Sequence, residues 1–294
     1  MTTPPTPQAP SQRQAPAPQY SPQPAPAGAY TSPIPVRRAT LADAIASEWT
    51  KIRSVRSTMW TLGVMIVLLL GIGLLATIAV NTVDSDPDPD LGSTPVLSLG
   101  FFGVLLGSIC VITLGVMTIA SEYSTGMIRT TLTACPSRAR VLSAKAIVFF
   151  LLTFVITTVT TALVAGMHTA FIDSAAPSAG DWLRATVGVG LYIAMLGLLS
   201  LAVGALVRHS AGAITVMIGV VLLPLVLAMF MFAESLSDLR LALFQYSIPS
   251  QLSALYSTSV ADSGPSGWDP LWIMLGITAA ALICAFASLD RRDV

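Results

Sequence analysis

Charge is the scarcest property of this sequence. Asp, Glu, Lys and Arg supply 10% of its 294 residues, where soluble domains carry about 25%, which excludes an ordinary water-facing globule. Lysine occurs only at Lys51 and Lys145, and neither follows the glycine-rich loop that cradles a nucleotide phosphate. The chain therefore has no ATP-binding motif of its own. Histidine occurs only at His168 and His209, with no His-Glu-x-x-His spacing for zinc. Cys110 and Cys284 lie in apolar runs and Cys135 in a polar hinge, which suggests neither a disulfide framework nor a metal site. Ser108 sits inside an apolar run, while His168 and His209 fall near opposite ends of theirs, so no nucleophile–base pair is legible. Accordingly no catalytic residue, cofactor, metal or nucleic-acid partner is expected.

What the sequence has in plenty is apolar surface, 54% of its residues. Uncharged or nearly uncharged stretches run over 57–83, 91–121, 146–172, 185–207, 210–233 and 270–289. A helix crosses a bilayer in about 20 residues, so six spans are predicted. No ionisable residue stands in the middle of any of them, which weighs against a proton- or ion-coupled pump. Pro224 should kink the fifth. With the N-terminus inside, 13 of the 15 Lys and Arg fall on the cytoplasmic side, and only Arg184 and Arg240 outside. Ten of the 15 acids fall outside. That bias predicts both termini in the cytoplasm, and a multi-pass protein of the cell membrane in contact with its lipids.

The segments between and before the spans differ in character. Residues 1–36 form a Pro-, Ala-, Gln- and Ser-rich tract that cannot bury enough surface to order itself, so a disordered cytoplasmic tail is expected. Asp84, Asp86, Asp88 and Asp90 alternate with Ser85, Pro87 and Pro89 in what reads as a solvated turn. The long connection 234–269, interrupted by Pro249, is too apolar for a free loop and should dip back against the fifth and sixth spans.

Residues 37–59 read as an amphipathic interfacial helix ahead of the six-span domain 60–294. Leu41, Ile45, Trp49, Ile52, Val55 and Met59 recur at helical spacing, with Lys51 and Arg53 off that stripe. Glu48 and Arg56 break the stripe. Two readings stay open for Glu48: it pairs with Lys51 or snorkels, or it meets a cation from another segment.

Residues 122–145 form a polar hinge between the second and third spans. The hinge carries Glu122 against Arg129, Arg138, Arg140 and Lys145. Gly126 to Ala134 is long enough for about two helical turns, with Met127, Ile128 and Leu132 on one side. Pro136 should stop that helix, and Ser137 offers an N-cap for the next. Glu122 facing Arg138 and Arg140 would clamp the ends of the two spans.

The run Ser47-Glu48-Trp49-Thr50-Lys51-Ile52-Arg53-Ser54-Val55-Arg56-Ser57-Thr58 resembles the N-terminal helix of actinobacterial type-2 ABC exporter permeases. The hinge resembles the same family's loop after the second span, through Glu122-Tyr123, Gly126, Ile128-Arg129, Leu132, Pro136, Arg138, Arg140-Val141-Leu142 and Lys145. The resemblance implies a permease subunit of an exporter that pairs with a second copy or a homologous permease. It also implies a separate cytoplasmic ATPase subunit docked on the hinge, with Glu122, Gly126, Arg129, Pro136, Arg138 and Arg140 as coupling residues. The interfacial helix, with Glu48, Trp49, Lys51, Arg53 and Arg56, would lie near that ATPase. The alternative is a non-transporting membrane scaffold or sensor of the same fold, with the tail recruiting partners.

Overall fold

A computed structural model describes residues 39–83, 95–135, 137–172, 175–258 and 264–291. The Pro-rich tract at 1–36, the acidic turn and Pro136 lie outside the described residues. The described secondary structure is entirely helical. Six helices are long and apolar enough to cross a membrane, as the hydropathy pattern requires.

The chain enters through α1 (Leu41–Ser54). Thr40 and Asp43 close a reciprocal capping box at its start, satisfying backbone donors that the first turn cannot. The expected single helix to residue 59 is not what forms: α1 ends at Val55, whose backbone is extended, and α2 (Arg56–Val83) begins at the next residue. A β-branched residue tolerates that extended break well, and the break allows the chain to leave the surface direction and run across the apolar belt. Met59 therefore belongs to the first turn of α2.

A short 3-10 turn, Val96–Gly100, leads into α3 (Phe101–Ser124). The hinge helix α4 (Met127–Ala134) follows, and then α5 (Arg138–Phe171), capped by Ser137, whose hydroxyl accepts the Arg140 amide as its position foretold. After α6 (Ala179–Leu183), a π-helical turn Arg184–Gly188 runs straight into α7 (Val189–Val207). α8 (Ser210–Phe230) contains Pro224 within it.

The connection expected to fold back does so. It forms α9 (Ser237–Gln245) and α10 (Ile248–Leu255), with α9 against α8, and α10 among α3, α7, α8 and α11 (Asp269–Arg291). Pro249 does not interrupt this segment but helps start it. It lies in the first turn of α10 behind the Ser247 cap, where a missing N–H costs nothing.

α7 is the central helix, packed by α3, α5, α8 and α11, while α2 packs on α3 and α5. Small residues allow these approaches, which in lipid must be stabilised by close packing instead of water exclusion. A Cβ on Gly115 of α3 would stand 2.6 Å from the carbonyl oxygen of Gly197 on α7. That neighbour is backbone and cannot swing aside. Gly115→Ala should therefore separate α3 from α7 and cost about 1–3 kcal/mol, seen as lower thermal stability in detergent. Gly219→Ala on α8, where nothing lies within 4 Å, should leave stability unchanged. Equal behaviour of the two variants would refute the close crossing.

Candidate functional site: a buried ring of four charges at the hinge

The charged residues that the pattern scattered over three segments meet in one place. Glu48 and Lys51 project from one side of α1, three residues apart and therefore neighbours on the helix. Glu122 projects from the last turns of α3 and Lys145 from α5, seven residues beyond Arg138. At about 1.5 Å per residue, that puts Lys145 about 10 Å up the helix from its start.

The four side chains alternate in sign around a closed ring. Lys51 Nζ donates to Glu48 Oε1 at 2.7 Å and to Glu122 Oε1 at 2.9 Å. Lys145 Nζ donates to Glu48 Oε2 at 2.6 Å and to the same Glu122 oxygen at 2.9 Å. Both lysines of the chain are thus spent here. Lys145, Glu48 and Glu122 are buried, their side chains 2%, 5% and 3% exposed, whereas Lys51 retains 28%. Burial works against a charge on Lys51, but the hydrogen bonds and fields of Glu48 and Glu122 outweigh it and raise its pKa. A raised lysine pKa means a stabilising contribution that is complete below the ordinary lysine range and lost only as pH climbs through the raised value.

Lys51 has one more partner. Its Nζ lies 3.3 Å from Thr131 Oγ1 on α4, so the hinge helix is tied to the ring. Beside Thr131 on the same face of α4, Ile128 is buried and, with Leu132, lines a small cavity bounded also by Tyr123, Val141 and Leu142. Met127, expected on that side, is 45% exposed instead. Gly126 precedes α4 with φ of 71°, a left-handed turn that a side chain would strain, and it reverses the chain from α3 into α4. Arg129 is exposed on α4.

The expected clamp of Glu122 by Arg138 and Arg140 is replaced by the lysines. Arg140 Nη1 donates to the Ala39 carbonyl just before α1, at 2.6 Å, and Arg138 Nη1 donates to the Leu289 carbonyl near the end of α11, at 2.7 Å. Each arginine thus fastens the start of α5 to a different chain segment. The physical reason is reach: Arg138 and Arg140 stand in the first turn of α5, at the rim, while Glu122 is turned toward the deeper Lys145.

Both readings of Glu48 hold together, since it pairs with Lys51 and with a cation from another segment. Trp49, Arg53 and Arg56 are exposed, Trp49 at 44%, whereas Ile52 of the same apolar stripe is buried one turn from Glu48. At the same end of the bundle, Arg208 adopts φ of 57° to turn α7 into α8 and lays its guanidinium 5.0 Å over the Tyr123 ring. Such contacts contribute about 0.5–2 kcal/mol.

Lys145 and Thr131 are the residues that pattern reading passed over as site members. A signal existed for the lysine. Once Ser137 caps α5, Lys145 must lie two turns inside a span, and an ionisable group at such depth calls for a partner. Thr131 carries no comparable mark. Ser108, meanwhile, donates its hydroxyl to the Leu105 carbonyl of its own helix at 2.6 Å, an ordinary way to satisfy a hydroxyl in an apolar span.

The ion ring thus joins the entry helix α1, the spans α3 and α5 and the short hinge helix α4. No curated protein matches the chain. A family model described as ABC-2 family transporter protein matches residues 44–230, a region that starts within α1, takes in the whole ring and ends at the last residue of α8. That match spans more than half of the sequence, and it falls on the residues that the fold draws together at the hinge: the chain belongs to the ABC-2 family of transporter membrane proteins.

Proposed function

We propose that this chain is the permease subunit of an ATP-binding-cassette exporter, driven by a separate ATPase that docks on α4 and works with a second copy or a homologous permease. The observation that carries the reading is the bond from Lys51 to Thr131 within the buried ring. A push on α4 displaces Lys51, and through it Glu48 and Glu122, so that α1, α3 and α5 move as one body. Charge-assisted bonds in a mostly desolvated place are stiff enough for that, whereas exposed pairs contribute only about 0–1 kcal/mol. The hinge end is taken as cytoplasmic because basic residues crowd there, leaving Arg184 and Arg240 at the opposite end.

The test is made on the purified full chain and on the chain co-expressed with a candidate ABC ATPase. Alone, the permease should neither bind nor hydrolyse ATP. Together, the two should co-purify, and exposed Arg129 changed to Glu should weaken the complex without lowering permease abundance. Cysteine labelling should report Ser124→Cys from the cytoplasm and Ser257→Cys from outside. Stoichiometric ATP binding by the permease alone, or labelling of the hinge from outside, would overturn the proposal. Normal insertion with no ATPase partner would favour the scaffold reading.

A further inference from the structure

A groove of about 730 Å³ runs between α5, α7 and α11, from Ala146, next to Lys145 in the chain, to Trp268 at the far end, within the size range of ligand sites, about 300–1,000 Å³. Its walls include Ile147, Phe150, Met195, Trp272 and Leu275. Thr278 also lines it, but its hydroxyl already donates to the Met195 carbonyl at 3.2 Å. A polar solute would find no partner there, and an unpaired polar group in an apolar site costs several kcal/mol. The groove opens sideways into the apolar belt, since Leu151, Trp272 and Leu275 are 53%, 70% and 46% exposed.

Length and charge say what fills it. Lining residues on the last helix run from Trp268 to Leu282, about 20 Å at 1.5 Å per residue. One leaflet of hydrocarbon is about half of 30 Å, so an acyl chain fits lengthwise, and the trough continues past the midplane toward Ala146 and Ile147 on the hinge side. The end away from the hinge carries the polar fixtures. Trp268 packs over Gly188, where a Cβ would meet its ring at 3.3 Å, and Gly267 beside it turns with φ of 56°. That turn brings the chain to Arg184, whose Nη1 would lie 3.8 Å from a Cβ on Gly267. Asp181 and Ser257 hold the other terminal nitrogen, Nη2, and so aim the guanidinium. Two tryptophans at headgroup level, an oriented cation beside them and a dry trough below match a phospholipid, phosphate up and one tail in.

We infer that this groove is a binding site for an anionic phospholipid of the leaflet opposite the hinge, with the phosphate at Arg184 and one acyl chain between α5 and α11. The site stands whether or not the permease reading is right.

The experiment uses the full chain in vesicles of phosphatidylcholine containing a small fraction of phosphatidylglycerol with a photoactivatable acyl chain, followed by peptide mapping. Label should concentrate on 147–151 and 272–282, well above the exposed lipid-facing stretch 216–227 of α8. Arg184→Gln should lower groove labelling by phosphatidylglycerol about fivefold and leave labelling by a photoactivatable phosphatidylcholine unchanged. Ala279→Phe, at an exposed position that points into the trough, should abolish groove labelling at normal protein abundance. Should that variant fold poorly, Ile147→Trp at the exposed rim serves the same purpose. Label spread evenly over all lipid-facing helices would mean boundary lipid only and overturn the inference. So would disulfide formation between two copies carrying Leu275→Cys, which would mean that a second copy occupies the face.

Discussion

Lys145→Met should be the most damaging single substitution in the chain for stability. It removes the one fully buried cation of the ring and leaves Glu48 and Glu122 sharing Lys51 alone. Breaking a buried pair by deleting one partner costs about 3–5 kcal/mol, because two buried carboxylates then share one cation and keep an uncompensated negative charge. The expected readings are a sharp fall in inserted protein and early unfolding in detergent. The ring makes the mechanism separable from mere loss of a side chain. Adding Glu122→Gln to Lys145→Met returns the ring to neutrality as a Glu48–Lys51 pair, so the double variant should be more stable than Lys145→Met alone. Replacement of a lysine by methionine costs packing in both, whereas only the single variant carries the excess negative charge. If the two are equally unstable, charge is not what the ring contributes. Wild-type stability of Lys145→Met would remove the ring from the account altogether.

Lys51→Met should act on a different quantity. Its ammonium is at the rim, 28% exposed, so water can take over part of its role and the loss of stability should be smaller than for Lys145→Met. What water cannot replace is the link to Thr131 on α4. Coupling free energies between sites run at about 1–3 kcal/mol, or roughly 5–150-fold, and transport driven through α4 should fall within that range at nearly normal abundance. ATP hydrolysis in the complex should continue but stop responding to substrate. Thr131→Val isolates the point, since it keeps the shape of the side chain and removes only the oxygen that receives Lys51. It should show the same uncoupling in weaker form, with unchanged thermal stability. Transport and substrate-stimulated hydrolysis at wild-type levels in both variants would show that α4 moves the spans by another route.

Several parts of this protein are decided by stretches short enough to read directly. Six spans follow from six uncharged runs, because a bilayer demands internal backbone hydrogen bonding along each of them. The Ser137 cap and the short hinge helix are likewise local matters of one or two turns. Composition also settles that ionic chemistry must be confined to the ends of the bundle, since the middles of the spans carry no ionisable group.

Which charges meet is a different kind of question, and there local pattern was a poor guide. Glu122 has arginines 16 and 18 residues ahead of it and Lys145 only a little farther on; along the chain, nothing ranks them. Packing does. The approach of α3 to α7 through Gly115 and Gly197, and of α1 to α5, sets the depth and rotation of each helix. At that depth the buried lysine faces both carboxylates, while the arginines at the rim reach backbone carbonyls of other segments. The same holds for Glu48, which finds Lys145 97 residues away, and for Arg184, brought beside Trp268 by the fold of the far connection. Sequence by itself determined how many helices cross and where they can begin, because those depend on hydrogen bonds and apolar surface within one segment. Only the tertiary structure decided the ion ring and the groove, because a charge pairs with whatever lies within about 3 Å in space, and long-range helix packing alone sets that.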